Sequence, residues 1–166
     1  MQPTDKNELV IKSENLSKEF GQVQAVDGLS LEVTPGEIFG LVGPDGAGKT
    51  TTIRMLTAIM LPTQGWAEVL GYDTVTQAEA LKAHIGYMAQ RFNLYRDLTV
   101  TENLNFFADI FEIPTQERVA RIERLLEFAR LTRFKDRRAD HLSGGMQKKL
   151  SLACTLVHDP KILFLD

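Results

Sequence analysis

The chain has 166 residues, of which 43% are hydrophobic and 25% charged, with a net charge of −3 at pH 7. Those values describe one soluble globular domain with a sizeable core. They exclude a disordered chain and a nucleic-acid binder that works through a broad basic surface, so no nucleic-acid partner is expected. No stretch approaches the roughly eighteen consecutive apolar residues of a membrane span, and residues 1–7 are polar with no signal-peptide core. The domain is expected in the cytoplasm, with any membrane association made through a partner. The basic pairs Arg137-Arg138 and Lys148-Lys149 read as solvated faces.

In chain order, Leu9 to Ile11, Val23 to Val26 and Leu29 to Val33 are short alternating runs broken by polar residues and Gly21, the pattern of short antiparallel strands. Thr34-Pro35-Gly36-Glu37 is a turn, and Ile38-Phe39-Gly40-Leu41-Val42 is apolar enough for a central strand covered on both faces. It leads directly into Gly43-Pro44-Asp45-Gly46-Ala47-Gly48-Lys49-Thr50, followed by Thr51 and a helical segment. Strand, glycine-rich loop and helix together are the context in which G-x-x-x-x-G-K-[ST] binds phosphate. By chance the four fixed positions arise in about one chain of this size in two hundred, and the flanking elements lower that further. The glycines let backbone N–H groups turn toward the β- and γ-phosphates, the helix N-terminus adds its dipole, Lys49 adds a point charge and Thr50 offers a hydroxyl to Mg²⁺.

Helical spacing of Ile53, Leu56 and Met60 runs until Pro62. Trp66 to Leu70 reads as a strand, Gln77 to Ala83 as a short helix, and Ile85 to Ala89 as a strand closed by Gln90. Thr99 with Glu102 fits a capping box ahead of the stripe Leu104, Phe107, Ala108, Phe111, which Pro114 should end. Val119, Ile122, Leu125, Leu126 and Ala129 mark a second amphipathic helix, and Met146, Leu150, Ala153 and Val157 a third. Cys154, the single cysteine, falls in that last apolar row and reads as a small buried hydrophobe. Asp159-Pro160 breaks the helix, and Ile162 to Asp166 is a buried-strand pattern ending in an acid. Such an acid can hold Mg²⁺ beside Thr50, although strands also end in Asp where a turn follows. Leu142-Ser143-Gly144-Gly145-Met146-Gln147 is a second glycine-rich helix start, with Ser143 able to cap the helix and bind a phosphate oxygen. One nucleotide has no use for two cradles on the same side, whereas two subunits facing head to tail do.

From Leu9 onward the sequence resembles the ATP-binding-cassette (ABC) ATPases. Gly43 to Thr51 looks like their Walker A, Gln90 their Q-loop, Leu142 to Gln147 their signature and Ile162 to Asp166 their Walker B, in the family's order. The resemblance implies an α/β fold: a P-loop NTPase core with a mixed sheet and an N-terminal antiparallel β subdomain, plus an α-helical subdomain. Residues 8–90 and 158–166 would form the ATP-binding core and 91–157 the helical and signature region. It further implies ATP and Mg²⁺ as cofactors, with Phe20 stacked on adenine and Gly43, Pro44, Asp45, Gly46, Ala47, Gly48, Lys49, Thr50 and Thr51 around the phosphates. Lys49, Gln90 and Asp166 would be catalytic, and Thr50, Gln90 and Asp166 would hold the metal. Ser143, Gly144, Gly145 and Met146 would complete the site of a second cassette, in a homodimer or a tandem partner.

The stretches Gly86 to Gln90 and Leu94 to Leu104 are similar to ATPase subunits of ABC-2 type exporters, which implies a transmembrane permease partner and a peripheral place on the cytoplasmic face of the inner membrane. Asp45, where the family usually has Asn, resembles the first cassette of tandem drug-efflux ATPases, and a carboxylate near phosphates should weaken binding unless it points away or pairs with a cation. The family's catalytic Glu, D-loop and switch His would follow Asp166; His84, His141 and His158 all precede it and read as surface or core histidines. The chain is therefore expected to be a fragment of a longer cassette, binding nucleotide weakly and turning it over negligibly by itself. The alternative is a soluble ABC ATPase of translation or repair, though the large basic inserts typical of those are not seen here. A GTPase or small-molecule kinase fits less well, because no Asn-Lys-x-Asp guanine reader exists, and a noncatalytic nucleotide-sensing module is a further rival.

Overall fold

The computed structural model describes residues 9–90 and 94–166; the polar N-terminal stretch and residues 91–93 lie outside these. The described chain forms two compact units, residues 9–82 with Asp166, and residues 83–165.

In the first unit β1 (Ile11–Phe20) and β2 (Val23–Val33) pair antiparallel, and β3 (Gln64–Val69) and β4 (Tyr72–Asp73) extend the sheet in the order β2-β1-β3-β4. Three short strands were expected before Thr34; the structure has two long ones. The polar interruptions are absorbed as register shifts between Ser13 and Leu16 and again around Lys18, with Asn15 at φ 50° and Gly28 at φ 56°. Ser13 and Ser17 stay buried in the strand because their hydroxyls stand in for ladder groups. Ser13 Oγ donates to the Leu29 carbonyl (3.2 Å) and accepts from Leu31 N–H (3.2 Å), and Ser17 Oγ accepts from Gly28 N–H (2.8 Å).

Ile11, Leu16, Val26, Val33, Ala67 and Val69 form the buried face of this sheet. Helix α1 (Lys49–Leu56) buries Ile53, Met55 and Leu56. It stops one turn short of Met60: the Thr57 hydroxyl donates to the Ile53 carbonyl (2.9 Å) and Ala58 takes φ 56°. The expected central strand Ile38 to Val42 is not a strand. No described strand pairs with it, Ile38 is fully exposed and Val42 is 96% exposed. Hydrophobicity states a demand for cover, but a strand exists only where a neighbour supplies the hydrogen-bond ladder. Helix α2 (Ala78–Lys82) closes the unit, with Leu81 buried.

The second unit pairs β5 (Ile85–Met88) parallel to β6 (Ile162–Leu165), Ile85 opposite Ile162. Gly86 is required there, since a Cβ would lie 2.9 Å from Thr155 and 3.0 Å from Pro160 and Leu163. Of β6 only Phe164 is buried, while Leu163 and Leu165 are exposed, against the expectation of an evenly buried strand. Helices α3 (Val100–Ile110), α4 (Thr115–Ala129) and α5 (Gly144–Thr155) pack around Val100, Leu104, Ile122, Leu126, Leu131 and Leu150. The capping box at Thr99 and Glu102 is formed in both directions. Pro114 does not end α3, which stops at Ile110; its fixed φ instead opens α4. Val119 is 61% exposed, so the buried face of α4 is narrower than its apolar spacing suggests.

Cys154 is buried in this core, and desolvation pushes its thiol well above the ordinary value. His158 stacks on Phe111 with ring centroids 3.7 Å apart, and its Nε2 lies 2.9 Å from the Ile85 carbonyl. Burial is the largest influence on His158 and holds it below 6.5, opposed by the bond to Ile85. The folded chain thus takes up this proton at lower pH than the unfolded chain. The stabilisation is complete above pH 6.5 and is lost as pH falls through the folded value. Between about pH 7 and about pH 5, thermal unfolding should show the wild type losing more stability than His158→Gln. Identical losses in the two proteins would remove His158 as the cause.

Candidate functional site

The loop between Val42 and α1 is shaped by glycine. Gly46 and Gly48 both have φ +82°, and Gly48 is the N-cap of α1 with no side-chain cap bond. A Cβ at Gly48 would run into the Ala25 carbonyl of β2, so the residue answers both a left-handed backbone and a close approach. The backbone bond inside the loop is Ala47 N–H to the Pro44 carbonyl (3.2 Å), and the first donor of α1 is Thr52, to the Gly48 carbonyl (2.8 Å). The amides of Gly48, Lys49, Thr50 and Thr51 have no backbone acceptor among the described residues. Four unsatisfied donors at a helix start form a site for an anion.

Lys49 Nζ donates to the carbonyls of Gly43 (2.8 Å) and Pro44 (2.7 Å), bridging the loop entrance. Two of its three protons are thereby used and one remains for a ligand. Thr50 Oγ1 donates to Asp166 Oδ1 at 2.7 Å across 116 residues of sequence. These are two oxygen donors, one of them anionic, at the mouth of an amide-lined loop. Mg²⁺ takes oxygen ligands and keeps phosphate oxygens and water among them, so a hydroxyl plus one carboxylate suits it without a protein cage. No group of three or more His, Cys, Asp or Glu among the described residues could hold a metal alone.

Of the sequence-read positions, the first unit thus gathers Gly43 to Thr51 with Asp166. Phe20, 48% exposed at the end of β1, carries the Lys18 ammonium 5.3 Å from its ring centre, while that ammonium donates to the Leu61 carbonyl (2.8 Å). Lys18 was missed from sequence because its bond joins β1 to Leu61, 43 residues on. Asp45 is exposed and makes no ion pair among the described residues.

Gln90 and the second glycine-rich start lie in the second unit. Gln90 is an exposed residue just after β5. Ser143 is the N-cap of α5, its Oγ accepting from Met146 N–H at 3.4 Å, and Ser143, Gly144 and Gly145 are exposed. Gln147 reaches back to the Ala139 carbonyl (3.0 Å). Arg138 is exposed, as expected, and is in addition ion-paired with Asp97 (2.6 Å) and Asp140 (2.8 Å). Asn103, given no role from sequence, is fully buried. Its Oδ1 accepts from Tyr95 N–H (2.9 Å), and its Nδ2 donates to the carbonyls of Tyr95 (3.0 Å), Leu98 (3.2 Å) and Thr99 (2.9 Å). A polar residue within an apolar stripe was the available signal.

Across residues 26–166 the sequence matches the family described as ABC transporter. The chain belongs to that family. Over 162 residues it is 49% identical to the probable multidrug ABC transporter ATP-binding protein YbhF of Escherichia coli K12, covering 96% of this chain and 28% of that protein. It is 44% identical over 159 residues to the Nod factor export ATP-binding protein I of Paraburkholderia xenovorans, covering 96% of this chain and 52% of that one. The chain therefore spans about a quarter to a half of the length of these relatives. Among solved structures, the ATP-binding subunit of an ABC transporter superposes with TM-score 0.85 at 27% identity, covering 95% of this chain and 65% of the other. A dimeric ATP-binding cassette in a post-hydrolysis state, bound to ADP and Pi, gives 0.83 at 28% identity, covering 94% and 73%. The fold is thus the α/β P-loop fold of ABC ATPases with its antiparallel β subdomain and helices.

Gly48→Ala should weaken binding of a fluorescent ATP analogue about tenfold or more, the cost of a strained backbone and a displaced loop. Wild-type affinity in that variant would mean the cradle does not depend on this conformation.

Proposed function

We propose that this chain is the nucleotide-binding part of an export-type ABC ATPase, which binds ATP with Mg²⁺ and hydrolyses it with a second cassette to drive a membrane permease of ABC-2 type. The observation that carries the reading is the Thr50 to Asp166 contact of 2.7 Å beside the amide-lined loop, because a hydroxyl and a carboxylate next to free amides suit a metal-bound phosphate. Support also comes from the names of the relatives, which are multidrug and Nod factor export ATP-binding proteins.

In this reading the loop amides and Lys49 hold the β- and γ-phosphates and stabilise the charge that develops on the transferring phosphoryl group. Thr50 and Asp166 would hold Mg²⁺, which would neutralise phosphate charge, and Gln90 is the further ligand the sequence offers. Phe20 offers a ring face to adenine, a contact worth about 1–3 kcal/mol. Ser143 to Gly145 receive the γ-phosphate of the nucleotide bound to the second cassette, so that ATP joins the two. No described helix is long and apolar enough to cross a membrane. In this reading the chain docks on the permease at the cytoplasmic face of the inner membrane.

The test is Mg-ATP hydrolysis by the full-length protein containing this chain, alone and with its membrane partner in lipid. Lys49→Ala and Ser143→Arg should each lower turnover at least about a hundredfold, and the partner should stimulate the wild type. Turnover indifferent to Ser143 would show a single-site enzyme, and turnover indifferent to the membrane partner a soluble ABC ATPase.

A further inference from the structure

Residues 95–101 are laced to residues 135–140, the stretch that leads into the Ser143 cradle. Thr101 donates to the Lys135 carbonyl from both N–H and Oγ1 (3.0 Å each), and Val100 N–H donates to the Arg137 carbonyl (3.0 Å). In the other direction Ala139 N–H donates to the Leu98 carbonyl (2.9 Å) and Asp140 N–H to the Arg96 carbonyl (3.1 Å), with Thr99 and Arg138 paired as an antiparallel bridge. Arg138 sits where its fork can clasp both sides. Its Nη2 donates to Asp97 Oδ1 (2.6 Å) and to Asp140 Oδ2 (2.8 Å), and its Nε to Asp140 Oδ1 (3.2 Å). Asn103 fastens the 95–99 turn to α3 from the buried side, and Gln147 fastens the Ala139 and Leu142 carbonyls to α5 (3.0 and 3.4 Å). A continuous set of hydrogen bonds therefore runs from the start of α3, through the 95–99 turn, to the first turn of α5.

We propose that Arg138 is a positioning residue, one that fixes the Ser143 to Gly145 cradle relative to α3 by clamping Asp97 to Asp140. This rests on the reading that the cradle acts on the γ-phosphate bound by a second cassette. An exposed ion pair adds little to stability, so the clamp contributes little to folding. Its work is geometric: a phosphate cradle displaced by about 1 Å loses much of its effect on the transition state. Nucleotide binding to the chain's own loop makes no use of the clamp, so KM and kcat respond differently to its loss.

The experiment measures kcat, KM and thermal stability of the full-length protein with its membrane partner, for wild type, Arg138→Ala, Arg138→Lys, Asp97→Ala, the double Asp97→Ala/Arg138→Ala, and Ser143→Arg. Arg138→Ala should lower kcat about five- to twentyfold, with KM for ATP changed less than about twofold and the melting temperature unmoved. Arg138→Lys, which keeps the charge and loses the fork, should fall between. The double variant should be no slower than Arg138→Ala alone, because one contact is removed in both. Wild-type kcat in Arg138→Ala, additive losses in the double variant, or a loss that follows the melting temperature would each overturn the proposal. Full turnover in Ser143→Arg would instead overturn the reading of the cradle itself, and the two failures are separable.

Discussion

The hydrogen bond between Thr50 and Asp166 sets the terms for everything near it. Two groups 116 residues apart must stand 2.7 Å from each other, one on the first turn of α1 and the other following β6. An error of one residue in where α1 begins would turn Thr50 by about 100° around the helix axis and break the pair. The start of α1 is in turn fixed by Gly48, which lies so close to the Ala25 carbonyl that no side chain fits. The hairpin of β1 and β2 is therefore part of the support of the Thr50–Asp166 pair, although it contributes no group to it.

The second unit uses a different device. Its glycine-rich start is held by bonds to carbonyls and carboxylates on neighbouring turns, with Ser143, Gln147, Arg138 and Asn103 each spending side-chain donors or acceptors on short-range geometry. Asn103 is the telling case, because full burial of an amide is costly unless every bond is made. Here its oxygen and both protons are engaged, which ties the turn at 95–99 to α3 from the buried side.

What could be read from the sequence was local. The glycine turn that opens α1, the capping box at Thr99 and the Ser143 cap depend on residues within a turn of one another, and each takes the conformation expected of it. The membership of the ABC transporter family, visible in four motifs in order, is of the same kind. What misled depended on distant partners. Ser13 and Ser17 look like strand breakers until Leu29, Leu31 and Gly28 are seen opposite them. Ile38 to Val42 look like a covered strand, yet no described strand pairs with them. The pairing of Arg138 was not legible because Asp97 is 41 positions away. Sequence spacing reports what a residue can do to its neighbours and is silent on which neighbours a fold will provide.

Cys154 gives this unit a property that no motif would suggest. It is the only thiol in the chain, it is 2% exposed in the core of α3, α4 and α5, and desolvation suppresses the thiolate that reacts with alkylating reagents. Access to the sulfur thus requires the helices to part, and the rate of its alkylation is a clock for that opening. The chain carries, without any label, a reporter of how often its own interior is exposed to solvent.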